Sequence, residues 1–384
     1  MQRRPDGSAP SGLLRAAGGS DEGLPAVGGA CLHGRMDRDE RLRAETRAVW
    51  ATVICFVLGA VVGGLLLRGD ARPLTGEASL AVPAATVAGA VAAAAFLAST
   101  LMHRRGETTP MPRWQAVVSD LSTGAVTIAF GAVTAVGVLL AAEVLAAGLE
   151  GLRLAAVGGG ILTGVASAVG GRFAFGAGVE LRTADLAALL FGFLVIGTLF
   201  AMVTAADPRW WEANFSQLGV GWAFNGTLVV AGLLVATVGS YIGRDLHRLL
   251  GDGALGRVAA VVALWAVTGL ALAAVGLLPL HRVPVPHDIA AFASLVLFVA
   301  AAAWTTSAVP DTPRALLLTS VGVGVLVAVA VLLWFPFGLY SATALEAVVV
   351  GLGLLWMATL VRVLAILTPP QSRPSARRTL RSHA

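Results

Sequence analysis

The sequence predicts an all-α protein, a polytopic transmembrane helix bundle of about ten spans. Hydrophobic residues make up 57% of its 384 positions and charged residues 13%, against about 45–50% and about 25% in soluble proteins. The apolar residues come in blocks of about twenty, enough for a helix to cross a hydrocarbon core of about 30 Å. Membrane strands would instead alternate over about ten residues. The chain is therefore expected to be an integral membrane protein built from helices.

The first 48 residues predict a disordered and charged cytoplasmic segment. Residues 1 to about 35 are rich in Gly, Ala, Pro and Ser and show no periodicity, a composition that cannot bury a core. The stretch MDRDERLRAETRAVW then forms a charged lead into the first membrane helix. Because this lead begins at Met36, translation from Met36 is an alternative to translation from Met1.

Ten apolar blocks follow, and they form a four-helix N-terminal membrane unit, 49–183, and a six-helix membrane core, 184–368. The first block is too long for a signal-peptide core of about 7–15 residues. The fourth is the weakest, since it is short and rich in glycine. An Arg-rich tail, 369–384, closes the chain. The blocks lie at 49–67, 79–102, 122–147, 154–171, 184–206, 222–243, 257–280, 288–309, 315–336 and 343–368.

The arginines predict that both termini are cytoplasmic. All 27 basic residues are arginine. With ten spans, most of them fall on the cytoplasmic side, as the positive-inside rule requires. Without the fourth span, the arginines of every later connection would change sides. The only arginines on the predicted outer side are Arg68, Arg72, Arg153, Arg209 and Arg282.

Composition and motifs exclude several functions. The net charge of +5 does not indicate nucleic acid, because the arginines are spread over connections and tails rather than gathered on one folded face. Neither Cys31 nor Cys55 has a His or Cys neighbour at ligand spacing, so we predict no metal and no disulfide framework. Nucleotide-binding and HExxH motifs are also missing. No cofactor is expected, and membrane lipids are the expected partners.

Two pairs of glycines at four-residue spacing predict close contact between helices. They are Gly59 with Gly63 and Gly160 with Gly164. Small residues at this spacing let helix backbones approach each other in membranes. We favour packing within the bundle, and a homo-oligomer formed through these small-residue faces is the alternative.

The stretch DPRWWEANFSQLG, 207–219, predicts a short amphipathic helix in the outer membrane interface. Asp207 and Pro208 are typical of a helix start and Gly219 of a helix end. Trp210, Trp211 and Phe215 would anchor the apolar face at headgroup depth. The polar face would carry Glu212, Ser216 and Gln217. This face is the more informative one for function.

Further polar residues fall at the same predicted end of the spans. Charged groups inside a span are costly and are functional candidates by default. Asp288 has an alternative role as a helix N-cap, and Glu346 could simply pair with Arg282. The predicted ligand-binding residues are Glu212, Ser216, Gln217, Asn225, His287, Asp288 and Glu346.

NFSQLG, closely followed by FNGTLVVAGLL, resembles the bacterial membrane family DUF998. Its members carry a Ser-x-Leu-Gly-like motif after one span and a Phe-Asn start to the next. The resemblance covers about residues 184–368, and the first four spans look like an added unit, as in larger actinobacterial-style relatives. It implies a polytopic membrane fold and no particular activity. The matching positions are Ser216, Leu218, Gly219, Phe224 and Asn225, with His287, Asp288 and Glu346 as the remaining polar positions.

The favoured function is binding of a lipid or another small envelope molecule in an outward-facing polar pocket of a multi-pass protein of the cell membrane. A transporter built from five plus five helices is the first alternative. A membrane-embedded hydrolase is the second, and it requires Ser216, His287 and a carboxylate within hydrogen-bond reach. A purely structural role would leave the polar residues scattered. On balance we expect no enzyme.

Overall fold

The computed structural model describes residues 27–106, 113–179 and 181–368, and within them the chain folds into ten α-helices and one small sheet. The predicted transmembrane helix bundle is confirmed. Each predicted apolar block corresponds to one helix. The helices are α1 (Val27–Leu66), α2 (Ala81–Gly106), α3 (Arg113–Gly148), α4 (Ala156–Val179), α5 (Thr183–Val203), α6 (Trp222–Leu250), α7 (Leu255–Leu277), α8 (Pro284–Ala308), α9 (Arg314–Trp334) and α10 (Ala342–Leu367).

The chain divides into two compact units, Met1–Arg47 and Ala48–Ala384. In the first unit, α1 begins at Val27, within the segment for which the composition predicts disorder. No proline follows Pro25 before the charged lead, so nothing interrupts backbone hydrogen bonding as the helix extends toward the N-terminus. Residues 1–26 and the predicted tail, 369–384, lie outside the described residues.

Nine helices of the described part of the chain are long and apolar enough to cross a membrane, and α4 is the exception. Its glycines and Arg172 lower its mean hydropathy. Its packing nevertheless follows the neighbouring helices along their length. A Cβ atom built on Gly159 would lie 2.7 Å from Leu67 and from Leu80, and one on Gly178 would lie 2.6 Å from Ser99. This extended packing supports a tenth crossing.

The two predicted glycine pairs lie in the contact between α1 and α4, each against other residues of the facing helix. A Cβ atom on Gly160 would lie 2.8 Å from the carbonyl oxygen of Ala60 and 3.0 Å from Gly64, and one on Gly59 would lie 2.2 Å from the Ser167 hydroxyl. Such distances are too short for any side chain larger than hydrogen. The glycines therefore serve packing within the chain, and a homo-oligomer through small-residue faces stays a prediction.

A second close contact joins α6 to α7. A Cβ atom on Gly232 would lie 2.4 Å from the carbonyl oxygen of Gly269, and one on Gly269 would lie 2.3 Å from that of Gly232. Further toward the end of α7, a Cβ atom on Gly276 would lie 2.4 Å from the carbonyl oxygen of Asn225. Two backbones in direct contact hold the end of α7 at a fixed place beside the start of α6.

Three aromatic residues join α7, α8 and α10 in the core. The ring of Trp265 lies 5.6 Å from Phe298 and 6.2 Å from Trp356, and the last two are 5.9 Å apart. Both indole N–H groups are satisfied: Trp265 donates to Thr305 at 3.0 Å and Trp356 donates to Ser320 at 2.9 Å. Buried indoles with bonded N–H groups fix neighbouring helices in orientation as well as distance.

A two-stranded antiparallel sheet pairs the connections that follow α1 and α3. Its strands are β1 (Arg72–Pro73) and β2 (Arg153–Leu154). Arg153 also donates to the carbonyl oxygen of Ala71 at 3.0 Å. A small apolar cluster that includes Leu67 and Leu80 lies beneath the sheet. The pairing places both connections at the same end of the helices, as the predicted topology requires.

Candidate functional site

The segment 207–219 contains two short 3₁₀ turns, Trp210–Glu212 and the start of Phe215–Val220, and the prediction of one amphipathic helix is wrong. Asp207 does cap the first turn, since its carboxylate accepts the Arg209 N–H at 2.8 Å. Asn214 then adopts an extended backbone, with φ of −162° and ψ of 166°. The N–H of Phe215 donates to the Glu346 carboxylate at 2.8 Å. A distant carboxylate thus replaces the helical acceptor that a continuous helix would have supplied.

The predicted interfacial anchors divide into two groups. Trp211 is 54% exposed, which suits a residue in the membrane interface. Trp210 and Phe215 instead pack against the core, with ring centroids 5.3 Å apart, and Phe215 stacks on Phe224 of α6 at 6.5 Å. Aromatic pairs of this kind contribute about 0.5–1.5 kcal/mol each. They fasten the turn to the start of α6.

Asn225 holds the same turn from the other side. Its side-chain amide donates to the carbonyl oxygens of Gly219 and Gly221, at 2.8 and 3.3 Å. A Cβ atom on Gly219 would lie 2.7 Å from the Asn225 oxygen, so glycine is needed there for space. The Ser-x-Leu-Gly and Phe-Asn motifs therefore form one structural clamp, and the amide N–H groups of Asn225 serve the turn.

The clamped turn brings Ser216 to His287. Their Oγ and Nε2 atoms lie 2.9 Å apart, and the other ring nitrogen of His287, Nδ1, lies 2.7 Å from the carbonyl oxygen of Leu278. A carbonyl oxygen can only accept, so Nδ1 carries the proton of the neutral ring. Nε2 is then the acceptor, and the Ser216 hydroxyl donates to it. His287 is only 3% exposed, so this tautomer is held in a buried setting.

Glu346 completes the arrangement from α10. One of its carboxylate oxygens accepts the N–H of Phe215, the residue that directly precedes Ser216. No ion pair joins Glu346 to Arg282 among the described residues, so the purely structural pairing considered for it does not form. Ser216, His287 and Glu346 are called the polar cluster below. They come from three segments: Ser216 and His287 are 71 positions apart in the sequence, and Phe215 and Glu346 are 131 apart.

Two buried polar atoms lie in the segments that build the polar cluster. The side-chain oxygen of Asn214 and the hydroxyl of Thr343 have no hydrogen-bond partner among the described residues. Asn214 directly precedes Phe215, and Thr343 lies one helical turn before Glu346. An unpaired buried polar atom costs about 1–3 kcal/mol. Both atoms are therefore suited to accept a partner from a bound molecule.

The remaining predicted residues stay apart from the polar cluster. Glu212 and Gln217 are exposed, and their side chains make no hydrogen bond within the described residues. Asp288 is exposed as well, because successive residues of a helix point about 100° apart and His287 takes the buried side. Asp288 lies instead at an open apolar groove of about 460 Å³ with Ile289, Phe292, Ala293 and Val296.

The cluster fits acid–base chemistry and hydrogen bonding better than metal binding. No group of three His, Cys, Asp or Glu side chains could hold a metal ion within the part of the chain that the structure describes. A neutral imidazole whose acceptor nitrogen is hydrogen-bonded to a hydroxyl can remove the proton of that hydroxyl. A nearby carboxylate would stabilise the resulting imidazolium. The hydrolase alternative requires a carboxylate within hydrogen-bond reach of the Ser216–His287 pair; no carboxylate bonds His287 in the described residues, and the Leu278 carbonyl takes the orienting position at Nδ1 instead. A hydrolase at this site would therefore use a backbone carbonyl as the third group.

A family model for the six-helix core matches this part of the chain. The model is described as "Protein of unknown function (DUF998)" and matches residues 186–363. The chain is similar to the DUF998 family over this region, called the DUF998 region below. The resemblance carried by the Ser-x-Leu-Gly and Phe-Asn motifs is thereby confirmed, and all three members of the polar cluster lie inside the DUF998 region. No curated protein and no solved structure matches the chain.

Sequence reasoning missed three parts of the DUF998 site. Thr343 could have been found, because residues three apart share a helix face with Glu346. Asn214 would share the side of Trp210 in a continuous helix, since the two are four residues apart, but that helix does not form. The Leu278 carbonyl is a backbone group, so no residue type marks it in the sequence.

Proposed function

We propose that the DUF998 region binds a membrane lipid through its headgroup, at the outer end of a multi-pass protein of the cell membrane. The observation that carries this proposal is the meeting of Ser216, His287 and Glu346, in segments that also hold two unpaired buried polar atoms, on Asn214 and Thr343. The cluster is built from three segments that are far apart in the sequence and requires the 3₁₀ turn that contains Ser216. A role in packing alone would be served by apolar residues at lower cost.

The chemistry of the cluster favours a headgroup that donates hydrogen bonds. Glu346 uses one carboxylate oxygen on the Phe215 N–H, and its second oxygen has no partner within the described residues. The Asn214 oxygen is an acceptor in need of a donor. Two acceptors, one of them charged, suit an ammonium or hydroxyl group. We therefore propose an amine-bearing or hydroxyl-bearing headgroup rather than a free anion.

The depth of the cluster agrees with a lipid ligand. His287 lies three positions after Pro284, the first residue of α8, and Glu346 lies four after Ala342, the first residue of α10. At 1.5 Å per residue, both sit about 5–6 Å inside the ends of their helices. The interfacial layer on each side of a bilayer is about 5–7 Å thick. Headgroups and their glycerol esters occupy that layer.

The test is native mass spectrometry of the protein extracted with its own lipids. We expect the wild type to retain one lipid class with a donor headgroup. Glu346→Gln should lose most of it, because the substitution removes the charge while keeping an acceptor for Phe215. Gln217→Ala is the matched control, since Gln217 is exposed nearby and should change nothing. Equal retention of the same lipids by wild type and Glu346→Gln would overturn the proposal.

A further inference from the structure

The hydrogen bond between Ser216 and His287 has the geometry of a nucleophile and its base. Serine nucleophiles act when an adjacent imidazole takes the hydroxyl proton, with a third group orienting that imidazole. Here the Oγ to Nε2 distance is 2.9 Å and the Leu278 carbonyl orients the ring through Nδ1 at 2.7 Å. A buried neutral imidazole needs a partner for each ring nitrogen, and here the partner of Nε2 is a serine hydroxyl rather than a backbone group. Having both ring nitrogens engaged fixes the proton on the nitrogen away from Ser216.

We infer that Ser216 is the nucleophile of an acyl transfer, that His287 is its general base, and that the substrate is an ester of a membrane lipid. The inference rests on the proposed lipid binding and adds a reaction at the same site. The ester class follows from depth: the cluster lies at the level where a bound lipid carries its glycerol esters, about 5–6 Å from the helix ends.

The reaction balances with groups that are present. The Ser216 oxygen forms a bond to the ester carbonyl carbon while its proton passes to His287 Nε2. The bond between that carbon and the alcohol oxygen then breaks, and the proton on Nε2 goes to the leaving alcohol. Water attacks the resulting acyl-serine, gives a proton to Nε2, and releases the fatty acid as the proton returns to Ser216. No oxidant, reductant or metal is required.

Glu346 and Asn214 have supporting roles in this chemistry. The Glu346 carboxylate is held by its hydrogen bond from the N–H of Phe215, the neighbour of Ser216 in the sequence, and a negative charge in this cluster stabilises the imidazolium that forms when the ring takes the Ser216 proton. Asn214 lies two positions before Ser216 and has an unpaired buried amide oxygen. Rotation of that amide by half a turn exchanges its oxygen and NH₂ group. In the rotated form it offers a donor to the negative oxygen of the tetrahedral intermediate.

The experiment uses a biotin-linked fluorophosphonate on the full-length protein in lipid nanodiscs. Ser216 would displace fluoride from phosphorus and stay covalently attached, and peptide mass spectrometry identifies the modified residue. We expect modification of wild type at Ser216. His287→Gln should slow it at least about 100-fold, since general-base catalysis contributes about 10²–10⁴-fold, although glutamine can still accept a hydrogen bond from the serine.

Ser294→Ala is the matched control, because Ser294 lies on the same helix as His287 and bonds only the Ala291 carbonyl oxygen. It should label like wild type. Labelling of wild type at serines other than Ser216, or equal rates in wild type and His287→Gln, would overturn the inference.

Failure of the inference can be separated from failure of lipid binding in the same preparations. A lipid retained by wild type and lost in Glu346→Gln, without labelling of Ser216, would overturn the nucleophile and leave the binding site standing. Loss of both results would overturn the two proposals together. Labelling of Ser216 that is blocked when the retained lipid is added in excess would support both.

Discussion

Replacing Gly232 with alanine should force α6 away from α7 and destabilise the DUF998 region. The new Cβ atom would lie 2.4 Å from the Gly269 carbonyl oxygen and 2.6 Å from the Ala273 nitrogen. Both are backbone atoms, so no rotamer change relieves the clash. The helices must separate by about 1 Å to restore ordinary contact, and overpacking of this kind costs about 1–3 kcal/mol.

The net effect follows from comparison with a glycine of the same helix that faces open space. A Cβ atom on Gly226 would meet nothing within 4 Å, so Gly226→Ala should gain the usual helix stabilisation of about 0.5–1 kcal/mol. For Gly232→Ala, the same gain offsets part of the overpacking cost, which we take at the upper end of its range, about 3 kcal/mol, because both clashing atoms belong to the backbone. The two variants should therefore differ in free energy of unfolding by about 3 kcal/mol.

Titration with SDS in mixed micelles, followed by tryptophan fluorescence, measures this difference. Gly232→Ala should unfold at lower SDS than wild type and Gly226→Ala at equal or higher SDS. Because the end of α7 leads directly to Leu278, Gly232→Ala should also weaken lipid retention at the polar cluster. Equal unfolding free energies for the two variants would refute the argument that backbone contact joins α6 to α7.

Three further comparisons, each between two variants, have defined outcomes. Glu346→Ala should lower the free energy of unfolding by about 1–3 kcal/mol, because the Phe215 N–H loses its acceptor. Glu346→Gln keeps an acceptor and should lower it by less than half as much. SDS titration measures both values, and equal losses would contradict this reasoning. Asn225→Asp should increase the rate of proteolysis at the turn as much as Asn225→Ala does. Neither aspartate nor alanine can donate hydrogen bonds to the carbonyl oxygens of Gly219 and Gly221. Protection of the aspartate variant from proteolysis would argue against the clamp. Asp245→Ala should lower the melting temperature in detergent clearly more than Thr183→Val. The Asp245 carboxylate accepts a hydrogen bond from the Thr183 hydroxyl and also lies within 4 Å of the guanidinium groups of Arg244 and Arg248. Equal shifts would contradict the larger role of the carboxylate.

Helix positions could be predicted from the sequence because they depend on local composition. Blocks of about twenty apolar residues mark spans with little reference to the rest of the chain, and the bounds of α5 and of α7 to α10 lie within four residues of expectation, whereas α6 extends seven residues beyond its predicted end. The contact between Gly232 and Gly269 could not be predicted. It depends on which faces of α6 and α7 meet, and many glycines of this chain face nothing at all.

The candidate site could be predicted in its membership but not in its contacts. Ser216, His287 and Glu346 were selected as polar groups at one predicted membrane end, which topology alone provides. Their meeting depends on the Phe215 N–H, which donates to the Glu346 carboxylate instead of to a helical carbonyl oxygen. Local signals such as Asp207 and Gly219 instead predicted a continuous helix. Asp288 lies at the same predicted membrane end, but a helix turns it to a different side from His287, and it is exposed.

The most direct test of the binding site is a cryo-electron microscopy map of the protein in nanodiscs prepared with its native lipids. Headgroup density within about 3.5 Å of the free carboxylate oxygen of Glu346, continuous with an acyl chain, is the predicted result. It should be missing in a matched map of Glu346→Gln. Lipid density confined to the outer faces of α8 and α9, with the polar cluster closed on itself in both maps, would contradict the account.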